Sequence, residues 1–152
     1  ANGVARAETV LIVESENAVR RLAAQVLRSK GYTVLDARNG AEAFEVTRQA
    51  GYRLDLVITE LTVADMDGRE LVGRLSREHL SLRVLFMSGY SDEAAIVSAV
   101  HQHQVGFLPK PFSPGALVMK VRELLDRHDR RRHELGSRAK MDAHVDSSEP
   151  GA

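Results

Sequence analysis

The sequence predicts an α/β protein: a doubly wound parallel sheet of five strands, covered on both faces by helices. Three observations predict it. Five short runs dominated by Val, Ile and Leu recur at 9–13, 32–36, 54–59, 83–87 and 105–108, most of them without polar alternation, as parallel strands buried on both faces require. Segments of helical period separate them, near 17–30, 40–50, 68–78 and 92–102, with a last one at 114–134. Cap and turn residues stand at the seams. Strands alternating with helices imply right-handed βαβ crossovers and a three-layer sandwich.

Taken in order, V-L-I-V at 10–13 ends at Glu14, and the helix after it stops at Gly31. The second helix stops at Gly51; glycine is the residue that takes the left-handed conformation closing a helix. L-V-I-T at 56–59 ends at Glu60, and V-L-F-M at 84–87 ends at Ser88. Ser91, followed by Asp92 and Glu93, opens the fourth helix as an N-cap. F-L-P at 107–109 leads to Lys110, and Ser113-Pro114 opens the last helix with proline at its first position. Leu124 and Leu125 are the last clear core pair. D-R-H-D-R-R-R-H-E-L extends that helix, and residues 136–152 carry too little apolar surface to offset the entropy of ordering. The chain divides into an N-terminal extension (1–7), one domain (8–127) and a helical extension with a tail (128–152).

At 152 residues the chain holds one domain with a proper core. Twenty-one basic and 21 acidic residues cancel, so no global field favours nucleic acid or an anionic membrane. The absence of cysteine removes disulfides, thiol catalysis and thiolate metal sites together. No apolar run approaches the ~20 residues of a membrane span. A soluble, cytoplasmic protein is the expectation. The chain opens at Ala1 without methionine, as a processed chain or a segment of a longer protein does, and no room for an output domain after this one is expected.

Four strand ends deliver acid, acid, hydroxyl and lysine, in that order: Glu14, Glu60, Ser88 and Lys110. The carboxyl edge of an open α/β sheet is where sites form. The text around these residues is specific: R-V-L-F-M-S-G-Y at 83–90, F-L-P-K-P-F at 107–112 and G-Y-T-V-L-D-A-R-N-G-A-E-A at 31–43. In this order and spacing it resembles the receiver domain of two-component response regulators over about residues 8–127, and receivers of hybrid histidine kinases especially. The resemblance implies a flavodoxin-like (βα)5 fold with strand order 2-1-3-4-5. It implies that two adjacent acids after the first strand and an aspartate after the third hold Mg²⁺, and that this aspartate accepts a phosphoryl group. A Ser/Thr and a Lys bind that group, and the physics is positioning plus electrostatics. It implies a cis Lys110–Pro111 bond and an aromatic switch position at Phe107, for which plain core packing is an equal reading. It implies signalling by protein–protein contact in a two-component or phosphorelay system, with a histidine kinase or another signalling protein as partner. The usual partner face falls on about residues 92–127, where Ala94, Ala95, Val97 and Val100 offer a dimer or partner patch.

Two acids depart from the pattern. The metal set falls on Glu14, Ser15, Glu60 and Thr62, so the second of the adjacent acids is a neutral serine. Mg²⁺ demands octahedral geometry at ~2.0–2.1 Å and prefers carboxylate oxygens, so weak or absent binding is expected. Glu16 next door points elsewhere. The phospho-acceptor position is Glu60, whose extra methylene moves the carboxylate by roughly 1.5 Å. Misplacing a reacting atom by ~1 Å costs about a hundredfold in rate, so phosphoryl transfer to Glu60 is expected to be very slow. An atypical, phosphorylation-independent receiver follows, not an enzyme. A sharper reading has Glu60 imitate the phosphorylated state by reaching Ser88 and Lys110; the plain alternative is drift at a disused site. Opposite charges at ~4 Å attract by about 4 kcal/mol at an effective dielectric near 20, before desolvation. The loop after Glu60 reads Val63-Ala64-Asp65 where Met-Pro-Gly is usual, and losing the proline is expected to make it more mobile.

Other readings stay open or fall away. A conventional receiver would still accept phosphate slowly on Glu60 or on a nearby acid such as Asp65. The chain would also fit as a receiver detached from a hybrid kinase. Asp65-Met66-Asp67-Gly68 lacks the later carboxylates of a calcium loop. His101 and His103 are two apart and share no helical face. Arg130-Arg131-Arg132 is interleaved with Asp126, Asp129 and Glu134, so no basic face stands unopposed. A flavin or nucleotide site wants small residues after the first strand, whereas Glu14-Ser15-Glu16-Asn17 repels anions; a colourless protein would exclude the flavin version.

Overall fold

The computed structural model describes residues 7–51, 53–88 and 105–126. Five parallel strands form one sheet: β1 (Thr9–Val13), β2 (Thr33–Ala37), β3 (Leu56–Glu60), β6 (Arg83–Ser88) and β7 (Val105–Pro109), in the order β2-β1-β3-β6-β7. Two further strands, β4 (Thr62–Val63) and β5 (Met66–Asp67), pair antiparallel in the loop after β3. Setting that ribbon aside, the order is the 2-1-3-4-5 that the sequence implies. The helices are α1 (Asn17–Ser29), α2 (Gly40–Ala50) and α3 (Gly68–Glu78), and the chain is helical again over 114–126. The predicted helix at 92–102 lies outside the described residues, with its Ser91 cap, its apolar patch, His101 and His103. So do residues 1–6 and 127–152, with Arg130-Arg131-Arg132 and the tail. Among the described residues no helix is long and apolar enough to cross a membrane.

Alternation along each strand divides the core. Val10, Ile12, Leu56 and Ile58 pack with Ala23, Ala24 and Leu27 of α1 and with Leu117, Val121 and Leu124 of the last helix. Leu11, Val13 and Val57 turn the other way, against Ala43 of α2 and Leu71 and Leu75 of α3. All five β1 residues are buried, which explains why its sequence shows no polar alternation. Burying each Leu or Ile contributes ~1.5–3 kcal/mol, and the two layers hold the strand ends rigid.

The seams follow the caps. Gly31 (φ 95°) and Gly51 (φ 69°) adopt the left-handed conformation at the ends of α1 and α2. Asn39 caps α2 by accepting from the Glu42 N–H at 2.9 Å, and Asp67 caps α3 by accepting from the Arg69 N–H at 2.7 Å. Ser113 Oγ accepts from the Ala116 N–H at 3.1 Å and opens the last helix. The third strand starts two residues later than predicted; the Leu54 N–H donates to His79 Nδ1 rather than to a neighbouring strand.

Candidate functional site

Strand register sets the geometry of the carboxyl edge. Val13 pairs with Thr59, so the next rung sets Glu14 beside Glu60. Glu60 pairs with Met87, and Ser88 pairs with Pro109, leaving Lys110 one step beyond β7. Alternation then sorts the side chains by face. Glu14, Glu60 and Lys110 continue the parity of Ile12, Ile58 and Leu108, whereas Ser88 continues that of Val84 and Phe86, on the opposite face.

The contacts follow this sorting. Lys110 Nζ donates to Glu14 Oε1 and, at 3.2 Å, to Glu60 Oε1. Three groups that lie 46 and 50 residues apart in sequence thus form one carboxylate–ammonium–carboxylate bridge. The Glu14 side chain is 0% exposed, that of Glu60 19% and that of Lys110 25%. The Lys110 N–H donates to the Ser88 carbonyl at 2.9 Å, and the Lys110–Pro111 bond is cis, as the resemblance implies. Ser88 Oγ is buried and has no hydrogen-bond partner among the described residues. The reach of Glu60 towards Lys110 is therefore present. Its expected contact with the Ser88 hydroxyl is not, since that hydroxyl has no hydrogen-bond partner among the described residues.

Ser15 and Thr62, the other two members of the implied metal set, are both exposed. Glu16 turns its N–H towards Glu14 Oε2 at 3.5 Å. Among the described residues no three His, Asp or Glu side chains converge as ligands to one ion. Phe107 is half-buried against the α2–α3 side of the core.

The loop from β3 to α3 has anchors that the sequence reading missed. Asp65 Oδ1 accepts from the Gly40 N–H at 2.8 Å and Oδ2 from the Ala41 N–H at 3.0 Å, fastening the loop to the N-terminus of α2. These two bonds hold the Asp65 carboxyl below its ordinary range. Both of its oxygens accept a backbone hydrogen bond in this cap. Asp67 is likewise held low, by the Arg69 side chain and N–H. Gly68 closes the loop: its N–H donates to the Leu61 carbonyl at 2.8 Å, and any Cβ there would overlap the Glu60 carbonyl oxygen. The loop forms a short ribbon with hydrogen bonds at both of its ends.

Arg20 is the second residue the sequence reading passed over. It is only 7% exposed, and its Nη1 donates to the Glu14 carbonyl at 2.9 Å. It sits at the i, i+3, i+4, i+7 spacing of Ala23, Ala24 and Leu27, the buried face of α1. That spacing was the available signal.

A family model described as response regulator receiver domain matches residues 10–122. The chain is 39% identical over 121 residues to the sensor kinase CckA of Brucella abortus, a match covering 80% of this chain and 13% of that protein. It is 30% identical over 118 residues to the transcriptional regulatory protein SrrA of Staphylococcus aureus, covering 78% of this chain and 48% of that protein. The chain therefore spans less than half the length of each. Among solved structures, the receiver domain of the hybrid histidine kinase CckA superimposes with a TM-score of 0.64 at 31% identity, over 77% of this chain and 98% of that one.

Proposed function

Since the chain belongs to the response regulator receiver family, we propose that it is a receiver module whose signalling does not depend on phosphorylation. Receivers interact with histidine kinases and other signalling proteins, and contact with such a partner, not turnover, is the output we assign. One observation carries the reading: the Lys110 ammonium bridges Glu14 and Glu60, so the lysine that would bind an incoming phosphoryl group is already paired with two carboxylates.

Mg²⁺ fits this donor set poorly. One oxygen of each carboxylate already accepts from Lys110, and Ser15 contributes an exposed, neutral hydroxyl where a carboxylate would balance the ion. An ion entering here would have to displace the ammonium from a carboxylate with no exposed surface. Nor does Glu60 reproduce a phosphoryl group in full, since it engages Lys110 and leaves the Ser88 hydroxyl alone. The reading supported is a domain resting in one state, not one held permanently switched on.

The second reading, slow phosphorylation of Glu60, keeps one observation in its favour: Glu60 is the more exposed of the two carboxylates. The likeness to CckA further supports a hybrid kinase as context, with a histidine kinase or phosphotransfer partner. An NMR titration of the protein with Mg²⁺ and then beryllofluoride separates the two. Flat spectra at Glu14, Glu60, Ser88 and Lys110 are expected. Saturable shifts there would overturn the phosphorylation-independent reading.

A further inference from the structure

We infer that Arg20 is a positioning residue of this site: its buried guanidinium fixes the main chain at Glu14 and so aims the carboxylate that holds Lys110. The inference rests on the reading of Glu14, Glu60 and Lys110 as the site. An arginine on the core face of a helix is costly unless its donors are matched. Here Nη1 donates to the Glu14 carbonyl at 2.9 Å, Nη2 to Asn17 Oδ1, and Nε lies 3.4 Å from Asp36 Oδ2 on β2. Asp36 is itself 3.8 Å from Arg28.

An apolar side chain would dock α1 on the sheet without burying a charge. What the guanidinium adds is a planar fork of donors reaching three elements at once. Glu14 gains most. Its N–H donates to the Ala37 carbonyl at 3.0 Å and its carbonyl accepts from Arg20, so both main-chain groups are fixed where the strand ends. The residues that follow, 15–17, are exposed. Arg20 is thus what fixes the Glu14 carbonyl where the chain leaves the sheet for an exposed loop.

The test reads the Lys110 ammonium directly, by NMR of the full chain carrying ¹⁵N-labelled lysine. An ammonium held between two carboxylates exchanges slowly with water and gives a protected signal. In R20Q and in E14Q that signal should be lost. R122Q is the control: it breaks the paired bonds from Arg122 to Glu8 at 2.9 and 3.2 Å, far from the site, and should leave the signal intact. Loss in E14Q with retention in R20Q overturns the role of Arg20 alone. Retention in E14Q overturns the reading of the site itself. Loss in R122Q as well would reduce the R20Q effect to general loosening, and the inference falls. Should R20Q fail to fold, D36N carries the test, because it removes the anchor of the guanidinium at a half-exposed position. Exchange faster than wild type is then expected, and unchanged exchange overturns the inference.

Discussion

Replacing Lys110 by Met removes the ammonium while keeping an unbranched side chain of similar length. Glu14 then holds a carboxylate with no exposed surface, and its remaining neighbour, the Glu16 N–H, stands at 3.5 Å, the limit of a hydrogen bond. Removing one partner of a buried ion pair costs about 3–5 kcal/mol, because the other charge is stranded. The Lys110 side chain is 25% exposed, so water reaches the gap; the lower end, about 3 kcal/mol, is the expected loss. Glu60→Gln is milder, about 1 kcal/mol or less, because Lys110 keeps Glu14 and Glu60 is partly solvated. Urea denaturation measures both as shifts in midpoint at constant slope. The double variant K110M/E14Q strands no fully buried charge, leaving only the partly solvated Glu60 without its ammonium, so it should recover about 2 kcal/mol relative to the sum of the single changes. A K110M protein as stable as wild type, or strictly additive losses in the double variant, would refute the bridge as the element holding this edge together.

Gly68→Ala places a methyl against the backbone carbonyl of Glu60 and 2.9 Å from that of Leu61. Backbone cannot yield as a side chain can, so about 3 kcal/mol of stability should be lost, the upper end for overpacking, as a urea midpoint shift reports. Asp65→Asn tests the loop anchor through pH. The folded Asp65 carboxyl is depressed below its ordinary 3.8, so its contribution is present above that value and is lost as pH falls through the folded value. Wild type should melt above D65N at neutral pH and the gap should close in acid; a gap constant from pH 7 to 2 would exclude the charged cap. Restoring the acids in S15D/E60D should create Mg²⁺-dependent NMR shifts that wild type lacks, and equal responses in the two proteins would refute the assigned effect of Ser15 and Glu60.

What the sequence made legible was whatever repeats at short range. Uninterrupted Val, Ile and Leu runs gave the strands, Gly31, Gly51 and Ser113 gave the seams, and the motif text gave the cis Lys110–Pro111 bond. The β4–β5 ribbon escaped because strands of two residues have no period to detect. The Asp65 cap escaped for another reason: its partners are 24 and 25 residues away, and nothing at Gly40 or Ala41 signals a missing acceptor. Ser88 shows the limit of reading strand ends as a set. Four polar residues end four strands, but only three of them are joined by hydrogen bonds, and the Ser88 hydroxyl has no partner among the described residues. Arg20 is the instructive miss, since its periodicity with Ala23, Ala24 and Leu27 is enough by itself to mark it as buried. A buried arginine always raises the question of what it holds.

On the reading proposed for this site, serine at 15 and glutamate at 60 act on the same quantity. Three carboxylates facing one lysine carry a net charge of minus two, which a divalent ion neutralises. With serine at position 15, Glu14, Glu60 and Lys110 sum to minus one, and the demand for a divalent ion falls. Position 60 then decides how the lysine is shared. An aspartate would end roughly 1.5 Å short of the Glu60 carboxylate, beyond hydrogen-bond reach of an ammonium already 3.2 Å from Oε1, and Lys110 would serve Glu14 alone. The longer arm lets one ammonium pair with both acids at once, leaving a net charge of minus one. On the reading proposed for this site, Glu60 is therefore matched to Ser15: the serine lowers the charge a metal would have to offset, and the longer acid lets the chain's own lysine offset part of what remains.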